Sequence, residues 1–313
     1  MDEYIPFAVK HKPRAIDEFK LPRGFAAALQ SIAVQARLNT LLTGATGYGK
    51  STMAKAIANS VSCPSDLLVV NSAADNGISY FRNEVRTFCQ NNTRQQRKVV
   101  IIDDLDAINE QSQQVLRSTI DAFIDSVQFI ATVTSEPKLI DGMASRFTSL
   151  AMPQLTTDDM LSIAVDVCAY EHVSPNTHTL HNIVDSCHHS PRGLLRSLDK
   201  MVLAGVDEQV DSTKSLCVAV DIGHYSALVE KAKAGDGKSA LKVAQDMQQS
   251  GYSPIDILDG FFHALPRLHS LSCKAKYELT KIIARYVATC HACHTGSLQL
   301  KLFVLEIFNV VRM

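Results

Sequence analysis

The stretch that decides the fold is LLTGATGYGKST at residues 41–52, which fits the pattern G-x-x-x-x-G-K-[ST]. Its glycines let the main chain curl, so that successive N–H groups can point at phosphate oxygens. Lys50 would bring a positive charge to the β- and γ-phosphates, and the Ser51 hydroxyl could bind Mg²⁺. An apolar strand end precedes the loop, and a helix start that favours an anion follows it. The stretch therefore predicts phosphate binding between a strand and a helix.

A second apolar run ends in acidic residues. KVVII at residues 98–102 leads into Asp103 and Asp104, and an unbroken apolar run of this length predicts a strand buried on both faces of a parallel sheet. Ligands bind at the carboxyl ends of such strands. We therefore expect Asp103 to hold Mg²⁺, directly or through water, and Asp104 to orient and polarise an attacking water. A solvated acidic turn is the alternative, which the upstream phosphate loop makes less favourable.

A third apolar run, at residues 127–133, ends in the polar residue Thr134. In a sheet of this kind, a polar strand tip can hydrogen-bond the water or the γ-phosphate, although an ordinary strand end is the alternative reading. Strands alternate with helical patterns up to residue 150. This alternation predicts an α/β fold with a doubly wound parallel sheet.

Composition limits the class of protein. The 313 residues suggest about two domains, and 46% apolar with 20% charged residues suits a folded core. The 31 basic and 32 acidic residues give a net charge of −1, which excludes a globally basic nucleic-acid coat but not a local basic surface. The sequence contains no run of about 18 apolar residues, so we expect no membrane span. The N-terminus lacks the apolar segment of a signal peptide.

The eight cysteines are scattered along the chain rather than spaced as a framework. We expect small buried apolar groups in a reducing compartment, not disulfides. The run Cys290-His291-Ala292-Cys293-His294 has two interpretations, a zinc site or a thiol-lined helix end. One helical turn cannot easily wrap four ligands round a tetrahedral metal, so the helix end is favoured.

Several separated blocks resemble the ATPase subunits of sliding-clamp loaders, which are AAA+ ATPases. This family includes the replication factor C small subunits and the ATPase subunit of T-even-type phage clamp loaders. The blocks, with the family patterns they resemble, are residues 7–19 (W-x-x-K-Y-R-P-x-x-x-D-E-h), 71–82 (N-A-S-D-E-R-G-I-D-h-h-R), 103–106 (D-E-x-D), 113–117 (Q-Q-A-L-R), 145–147 (S-R-C) and 251–258 (G-x-x-P-x-D-I-L).

The resemblance implies a catalytic site shared between subunits. Lys50, Asp104 and Thr134 would be catalytic, and Arg146 would reach the γ-phosphate of the neighbouring subunit as a permanent planar cation. Asp104 stands where the family has Glu, which withdraws the charge by about 1.5 Å and predicts slow turnover. Ser51 and Asp103 would hold Mg²⁺.

The resemblance also implies nucleotide and DNA contacts. Arg192 would reach the nucleotide from the lid, with Arg196 as the runner-up, and Arg82 would face the template strand. The implied nucleotide-binding residues are Ala8, Val9, Lys10, His11, Lys20, Gly47, Tyr48, Gly49, Lys50, Ser51, Thr52 and Arg192.

By the same resemblance, residues 1–153 form an AAA+ P-loop ATPase domain, 154–221 a small helical lid and 222–313 a helical collar that oligomerises. The implied activity uses ATP and Mg²⁺ to open a sliding clamp and load it on primer-template DNA. The implied assembly is a hetero-oligomer, pentameric in the family. Two alternatives stay open: a subunit that binds nucleotide without hydrolysing it, and an AAA+ helicase loader. We expect a cytoplasmic location without membrane contact. The short chain favours a phage origin, in which case the location is the host bacterial cytoplasm.

Overall fold

The computed structural model describes residues 4–34, 38–62, 64–72, 77–91, 98–187, 189–203, 222–292 and 296–311. The chain divides into two compact units, Met1–Leu203 and Ala204–Met313. The predicted boundary after residue 153 falls inside the first unit. The predicted boundary after residue 221 ends a segment, 204–221, that lies outside the described residues. Both boundaries stay predictions.

The first unit contains a five-stranded sheet in which every adjacent pair of strands is parallel. The strands are β1 Thr40–Thr43, β2 Leu67–Asn71, β3 Lys98–Asp103, β4 Val127–Val133 and β5 Thr148–Ala151. Their spatial order is β2-β3-β4-β1-β5. The strand before the phosphate loop therefore lies between β4 and β5, and the carboxyl ends of β1, β3 and β4 share one edge. The predicted doubly wound parallel sheet is confirmed.

The first unit also contains helices. They are α1 Phe7–Lys10, α2 Arg23–Val34, α3 Lys50–Val61, α4 Ile78–Tyr80, α5 Arg86–Gln90, α6 Glu110–Phe123, α7 Thr157–Tyr170, α8 Thr177–Ser186 and α9 Pro191–Leu203. A π-helical turn, Phe81–Val85, joins α4 to α5. Short 3₁₀ turns lie at Ile16–Glu18, Pro64–Asp66, Leu105–Ala107, Glu136–Lys138 and Ala144–Arg146.

The burial of β3 explains why its sequence is an unbroken apolar run. Val100 and Ile102 belong to one apolar cluster, whereas Val99 and Ile101 belong to another. Successive side chains of a strand point to opposite faces, so each face of the sheet has its own core. Helices must then cover both faces, as in other sheets of parallel strands.

Sequence-encoded caps fix the starts of several helices. Thr156 caps α7, accepting a hydrogen bond from the Asp159 N–H at 3.2 Å, and the Asp159 carboxylate accepts one in return from the Thr156 N–H at 3.0 Å. Such a reciprocal capping box satisfies two N–H groups that have no partner inside the helix. A Thr followed three residues later by an acid, before an apolar run, is a sequence pattern that predicts such a helix start.

The second unit is helical in its described residues. Its helices are α10 Ile222–Ala234, α11 Gly237–Gln249, α12 Pro254–Ala264, α13 Cys273–Ala292 and α14 Gly296–Val311, with a 3₁₀ turn at Leu265–Arg267. Ser253 caps α12 with Pro254 in the first turn, and both residue types favour a helix start at these positions. Edge-to-face contacts join Phe261 to Tyr225 and Phe303, with centroids 5.3 and 5.5 Å apart. These rings form the centre of a single apolar core.

Across the described residues, no helix is long and apolar enough to cross a membrane. Cys89, Cys168 and Cys273 are free thiols. Within the same residues, no group of three or more His, Cys, Asp or Glu side chains could hold a metal ion. Cys293 and His294 lie outside the described residues, so the choice between a zinc site and a helix end at 290–294 stays open.

Candidate functional site

The phosphate loop connects β1 to α3, as its sequence predicts. Gly47 and Gly49 have φ of 87° and 86°, a left-handed conformation that favours glycine. A Cβ at position 47 would also collide with the Ser190 hydroxyl, at the approach to α9. The left-handed conformation therefore favours glycine at position 47, and a larger residue would also require the Ser190 hydroxyl to move.

Lys50 is the first residue of α3 and is almost fully buried. Its Nζ donates to the carbonyls of Gly44 and Ala45, at 2.8 and 3.1 Å, and to Thr134 Oγ1 at 3.2 Å. Burial lowers the pKa of Lys50, an effect that the neighbouring acids Asp104, Asp106 and Asp103 oppose. Two of the predicted catalytic residues, Lys50 and Thr134, are thus in direct contact.

The two predicted magnesium ligands also meet. Ser51 Oγ donates to Asp103 Oδ1 at 2.7 Å, and the same carboxylate oxygen accepts a hydrogen bond from Thr132 Oγ1 at 2.6 Å. A hydroxyl and a carboxylate are hard oxygen ligands of the kind that Mg²⁺ takes beside substrate phosphates. The residues present therefore fit this ion. When bound, Mg²⁺ would neutralise charge on the β- and γ-phosphates.

Asp104 follows β3 in a left-handed conformation, with φ of 55°. Its N–H donates to Thr132 Oγ1 at 2.9 Å. Burial, and after it the charge of Asp103, raises the pKa of the Asp104 carboxyl. A carboxylate with a raised pKa is a stronger base than an ordinary one, which suits a group that must polarise water.

Asp106 supports the tip of β4. Its carboxylate accepts hydrogen bonds from the N–H groups of Thr134 and Ser135, at 3.3 and 3.1 Å. Sequence reasoning assigned Asp106 no role beyond the acidic block that contains it. The structure shows that it holds the loop that carries Thr134.

A cavity of about 650 Å³ opens beside the phosphate loop. The N-terminal segment, α7 and α9 form its other walls. The predicted nucleotide-binding residues that line it are Ala8, Lys10, His11, Lys20, Gly47, Tyr48, Gly49, Thr52 and Arg192. Val9 is 63% exposed and does not line it. The predicted contact of Val9 with the nucleotide therefore has no support from where its side chain lies.

Sequence reasoning missed an acidic residue that holds the N-terminal wall. Glu171, at the end of α7, accepts a hydrogen bond from Lys10 Nζ at 2.8 Å and shares another with His11 Nε2 at 2.5 Å. Burial opposes ionisation of Glu171, but its hydrogen bonds with Lys10 and His11 outweigh burial and lower its pKa. His11 also contacts the Tyr170 ring edge-to-face, with centroids 5.1 Å apart. Nothing local in the sequence indicates a pairing across 160 residues.

The structure distinguishes the two arginines considered for the lid contact. Both arginines are exposed, but Arg192 lines the cavity and Arg196 does not. His189 has a φ of 59°, in the left-handed region that few residues other than glycine adopt. Its ring Nδ1 lies 2.9 Å from the carbonyl oxygen of Leu155, a hydrogen bond that helps to hold this uncommon conformation.

Two further predicted residues lie away from the cavity. Arg146 forms an ion pair with Asp121, with Nε and Oδ1 2.5 Å apart, and Arg82 is exposed on the π-helical turn between α4 and α5. Neither lines the cavity. Any role of Arg146 in phosphate chemistry would therefore be played at another molecule's site.

Comparisons with known proteins agree with this geometry. Residues 40–154 match the AAA family, ATPases associated with various cellular activities. Replication factor C subunit 4 of rice (Oryza sativa subsp. japonica) is 25% identical over 284 residues, covering 88% of this chain and 84% of that protein. The subunit 4 of Saccharomyces cerevisiae is 23% identical, covering 89% of this chain and 88% of that protein.

Solved structures agree on the fold. The RuvB Holliday junction branch migration motor of Thermotoga maritima has a TM-score of 0.55 at 20% identity, covering 66% of this chain and 71% of that chain. Domain III of the Thermotoga maritima replication initiation protein DnaA has a TM-score of 0.53 at 18% identity, covering 65% of this chain and 95% of that chain. Residues 40–154 therefore form a domain of the AAA ATPase family, within a chain that is similar over most of its length to replication factor C subunits.

Proposed function

We propose that this chain is the ATPase subunit of a clamp loader, which uses ATP to open a ring-shaped clamp and load it on primer-template DNA. The observation that carries the proposal is the meeting of Lys50 with Thr134, and of Ser51 with Asp103, beside a cavity of nucleotide size. The similarity to replication factor C subunits, which covers 88% of the chain in the rice protein, supports the step from nucleotide site to clamp loader.

In the proposed reaction, ATP lies in the cavity with its phosphates on the loop at residues 44–50. Lys50 and Arg192 hold phosphate oxygens through charge-assisted hydrogen bonds. Ser51 and Asp103 hold Mg²⁺, and Asp104 orients the attacking water and accepts its proton. Thr134 hydrogen-bonds the water or the γ-phosphate. The phosphoryl group is transferred almost entirely through positioning and charge stabilisation, so small displacements of these side chains change the rate.

Arg146 completes the site from the neighbouring subunit. The transition state spreads negative charge over the γ-phosphoryl oxygens, and a guanidinium supplies a fixed planar cation there. A site divided in this way works only in a head-to-tail assembly, because one subunit must present its edge to the next subunit's pocket. We propose that the partners are other loader subunits in a hetero-oligomer of five.

Arg82 would contact the phosphates of the template strand. Contacts with phosphates carry little sequence preference and weaken steeply as salt increases. The exposed position of Arg82 on a helical turn is compatible with such a contact.

The test compares hydrolysis by the isolated chain with hydrolysis by the complex of co-expressed loader subunits, in the presence of the clamp and primed DNA. We expect slow phosphate release from the isolated chain and strong stimulation in the full complex. Arg146→Ala should leave nucleotide binding near normal while it abolishes the stimulation. Full-rate hydrolysis by the isolated chain, or unchanged turnover of the Arg146→Ala complex, would refute the proposal.

A second candidate function is a subunit that binds nucleotide and shapes the assembly without hydrolysing it. It is favoured by Asp104, whose side chain is one carbon–carbon bond shorter than the Glu of the resembled family. Single-turnover measurements with the complete complex separate the two functions. Stimulated phosphate release removes the second candidate, and its absence in a correctly assembled complex favours it.

A further inference from the structure

The guanidinium of Arg146 is held by a carboxylate of its own chain. Nε donates to Asp121 Oδ1 at 2.5 Å and Nη2 donates to Asp121 Oδ2 at 2.7 Å. Two parallel hydrogen bonds of this kind fix both the position and the plane of an arginine. Asp121 lies in the last turn of α6, whereas Arg146 ends a short 3₁₀ turn.

A main-chain carbonyl holds the other side of the same group. Nη1 of Arg146 donates to the carbonyl oxygen of Gly142. Gly142 has a φ of 78°, in the left-handed region, and a Cβ there would lie 3.3 Å from Nη1. A glycine at this position thus both permits the turn and leaves room for the guanidinium.

The two elements that hold Arg146 are themselves joined. Gln113 of α6 is buried, and its Nε2 donates to the carbonyls of Ile108 and Lys138 at 3.0 and 3.3 Å. Its Oε1 accepts a hydrogen bond from the Ile140 N–H at 2.9 Å. These bonds tie α6 to the segment that leads to Gly142, so Asp121 and Gly142 have a fixed separation.

The remaining donors of Arg146 indicate what the arrangement is for. A guanidinium has five N–H donors, and three of them are used by Asp121 and Gly142. One N–H on Nη1 and one on Nη2 remain, and both can donate to a phosphate oxygen. The Arg146 side chain is 23% exposed. We propose that Asp121 is a positioning residue, which holds Arg146 so that its remaining N–H groups meet the γ-phosphate bound by the neighbouring subunit; this rests on the proposed function.

Holding a long side chain in advance has a physical benefit. A free arginine loses rotamer freedom when it engages a ligand, and that entropy cost falls on the transition state. The hydrogen bond from Arg146 lowers the pKa of the Asp121 carboxyl, so Asp121 stays ionised at neutral pH. A neutral amide at this position offers one acceptor oxygen instead of two and carries no charge, so it would hold the guanidinium less firmly.

The experiment measures ATP hydrolysis by the complete complex, with clamp and primed DNA, for Asp121→Asn, Asp121→Ala and Arg146→Ala. Asp125→Asn is the matched control, because Asp125 is an exposed acid close to the end of α6. Native mass spectrometry checks that each complex has the wild-type mass. We expect Asp121→Asn to lower kcat about tenfold, while KM for ATP stays within about twofold. Asp125→Asn should leave both values unchanged.

A double variant tests whether Asp121 acts through Arg146. Once Arg146 is alanine, Asp121→Asn should cause no further loss, because the residue it positions is absent. Asp121→Glu, which keeps the carboxylate, should recover part of the rate. A loss of similar size in both Arg146 backgrounds would overturn the inference.

The outcomes distinguish this inference from the function on which it rests. If Arg146→Ala abolishes stimulation while Asp121→Asn has no effect or hydrolyses faster, Asp121 does not position Arg146 and the proposed function stands. Faster hydrolysis would identify the ion pair as a restraint on Arg146. If Arg146→Ala itself has no effect, the proposed function fails first. If all Asp121 variants fold as isolated chains but fail to assemble, Asp121 is an interface residue and the inference is wrong.

Discussion

The hydroxyl of Thr132 donates a hydrogen bond to the carboxylate of Asp103, at 2.6 Å across the edge of two neighbouring strands. The oxygen of the Thr132 hydroxyl also accepts a hydrogen bond from the N–H of Asp104, at 2.9 Å. Thr132 is fully buried in β4 and carries no charge. One side chain thus orients the predicted magnesium ligand and fixes the main chain of the predicted base.

Thr132→Val should therefore damage the site while the shape of the core is kept. The valine removes one of the two donors to Asp103 Oδ1 and the acceptor for the Asp104 N–H, at a cost of about 1–3 kcal/mol for the N–H left without that partner. We expect kcat of the complete complex to fall about tenfold and the concentration of Mg²⁺ needed for half-maximal nucleotide binding to rise. Titration of Mg²⁺ with a fluorescent ATP analogue measures the second effect without catalysis.

Thr119→Val is the matched control for that substitution. Thr119 is also buried, but its hydroxyl donates only to the carbonyl of Val115, one turn earlier in α6. It should leave both the Mg²⁺ dependence and kcat close to wild type. If Thr132→Val behaves like Thr119→Val, the orienting role of Thr132 is wrong.

The raised pKa of Asp104 makes a prediction about stability. Because the folded protein binds the Asp104 proton more tightly than the unfolded chain does, ionising this group costs stability as pH rises through its folded pKa. Asp104→Asn should then raise the unfolding temperature at pH 7, by about 2 °C. Hydrolysis should be lost in the same variant, which has no base.

The pH dependence of this stability difference tests the prediction. As pH falls towards the ordinary carboxylate range, wild-type Asp104 takes up its proton and the gain from Asp104→Asn should shrink. Thermal unfolding, followed by circular dichroism between pH 4 and pH 8, measures the gap in unfolding temperature between the variant and the wild type. A gap that widens at low pH, or a destabilised variant at pH 7, would show that the carboxyl is not destabilised by burial and by Asp103.

Features set by neighbouring residues could be predicted from the sequence, whereas features set by the packing of distant segments could not. The phosphate loop, β3 with its acids, and the caps at Thr156 and Ser253 are readable because neighbouring residues determine them. The pairs Glu171–Lys10 and Asp121–Arg146 depend on how distant segments pack, and no local pattern contains that information. The left-handed conformation of Asp104 depends likewise on Thr132, which lies 28 residues further along.

The choice between Arg192 and Arg196 should appear in nucleotide affinity. Both arginines lie in α9, but only Arg192 lines the cavity. Loss of a charged hydrogen-bond donor to phosphate costs about 1.5–3 kcal/mol, so Arg192→Ala should weaken binding of ATP at least tenfold. Arg196→Ala is the control on the same helix and should bind normally. Equal effects of the two substitutions on Kd, measured by calorimetry, would contradict the assignment.

Lys98 should stabilise the helix that ends at Gln90. Its buried ammonium donates to the carbonyls of Phe88 and Asn91, and the Phe88 ring lies 5.1 Å from Nζ. Lys98→Met keeps the length and apolar character of the side chain but leaves both carbonyls without this donor. We expect a loss of about 2 kcal/mol, with faster hydrogen exchange of the amides in Arg86–Gln90. Lys138→Met, at an exposed position, should change neither.

Gly260 and Tyr225 give a prediction for the second unit. Tyr225 is buried and its hydroxyl donates to the carbonyl of Ile257 at 3.1 Å. A Cβ at position 260 would collide with that hydroxyl. Alanine is worth about 1 kcal/mol more than glycine within a helix, but overpacking and loss of the hydrogen bond outweigh this gain. Gly260→Ala should therefore lower the free energy of unfolding by about 1–2 kcal/mol.

In a Tyr225→Phe background, which removes the obstructing hydroxyl, the same substitution should cost at least about 1 kcal/mol less. Urea unfolding of the four proteins in this cycle measures the difference, and an unchanged cost would place the strain of Gly260→Ala somewhere other than the tyrosine.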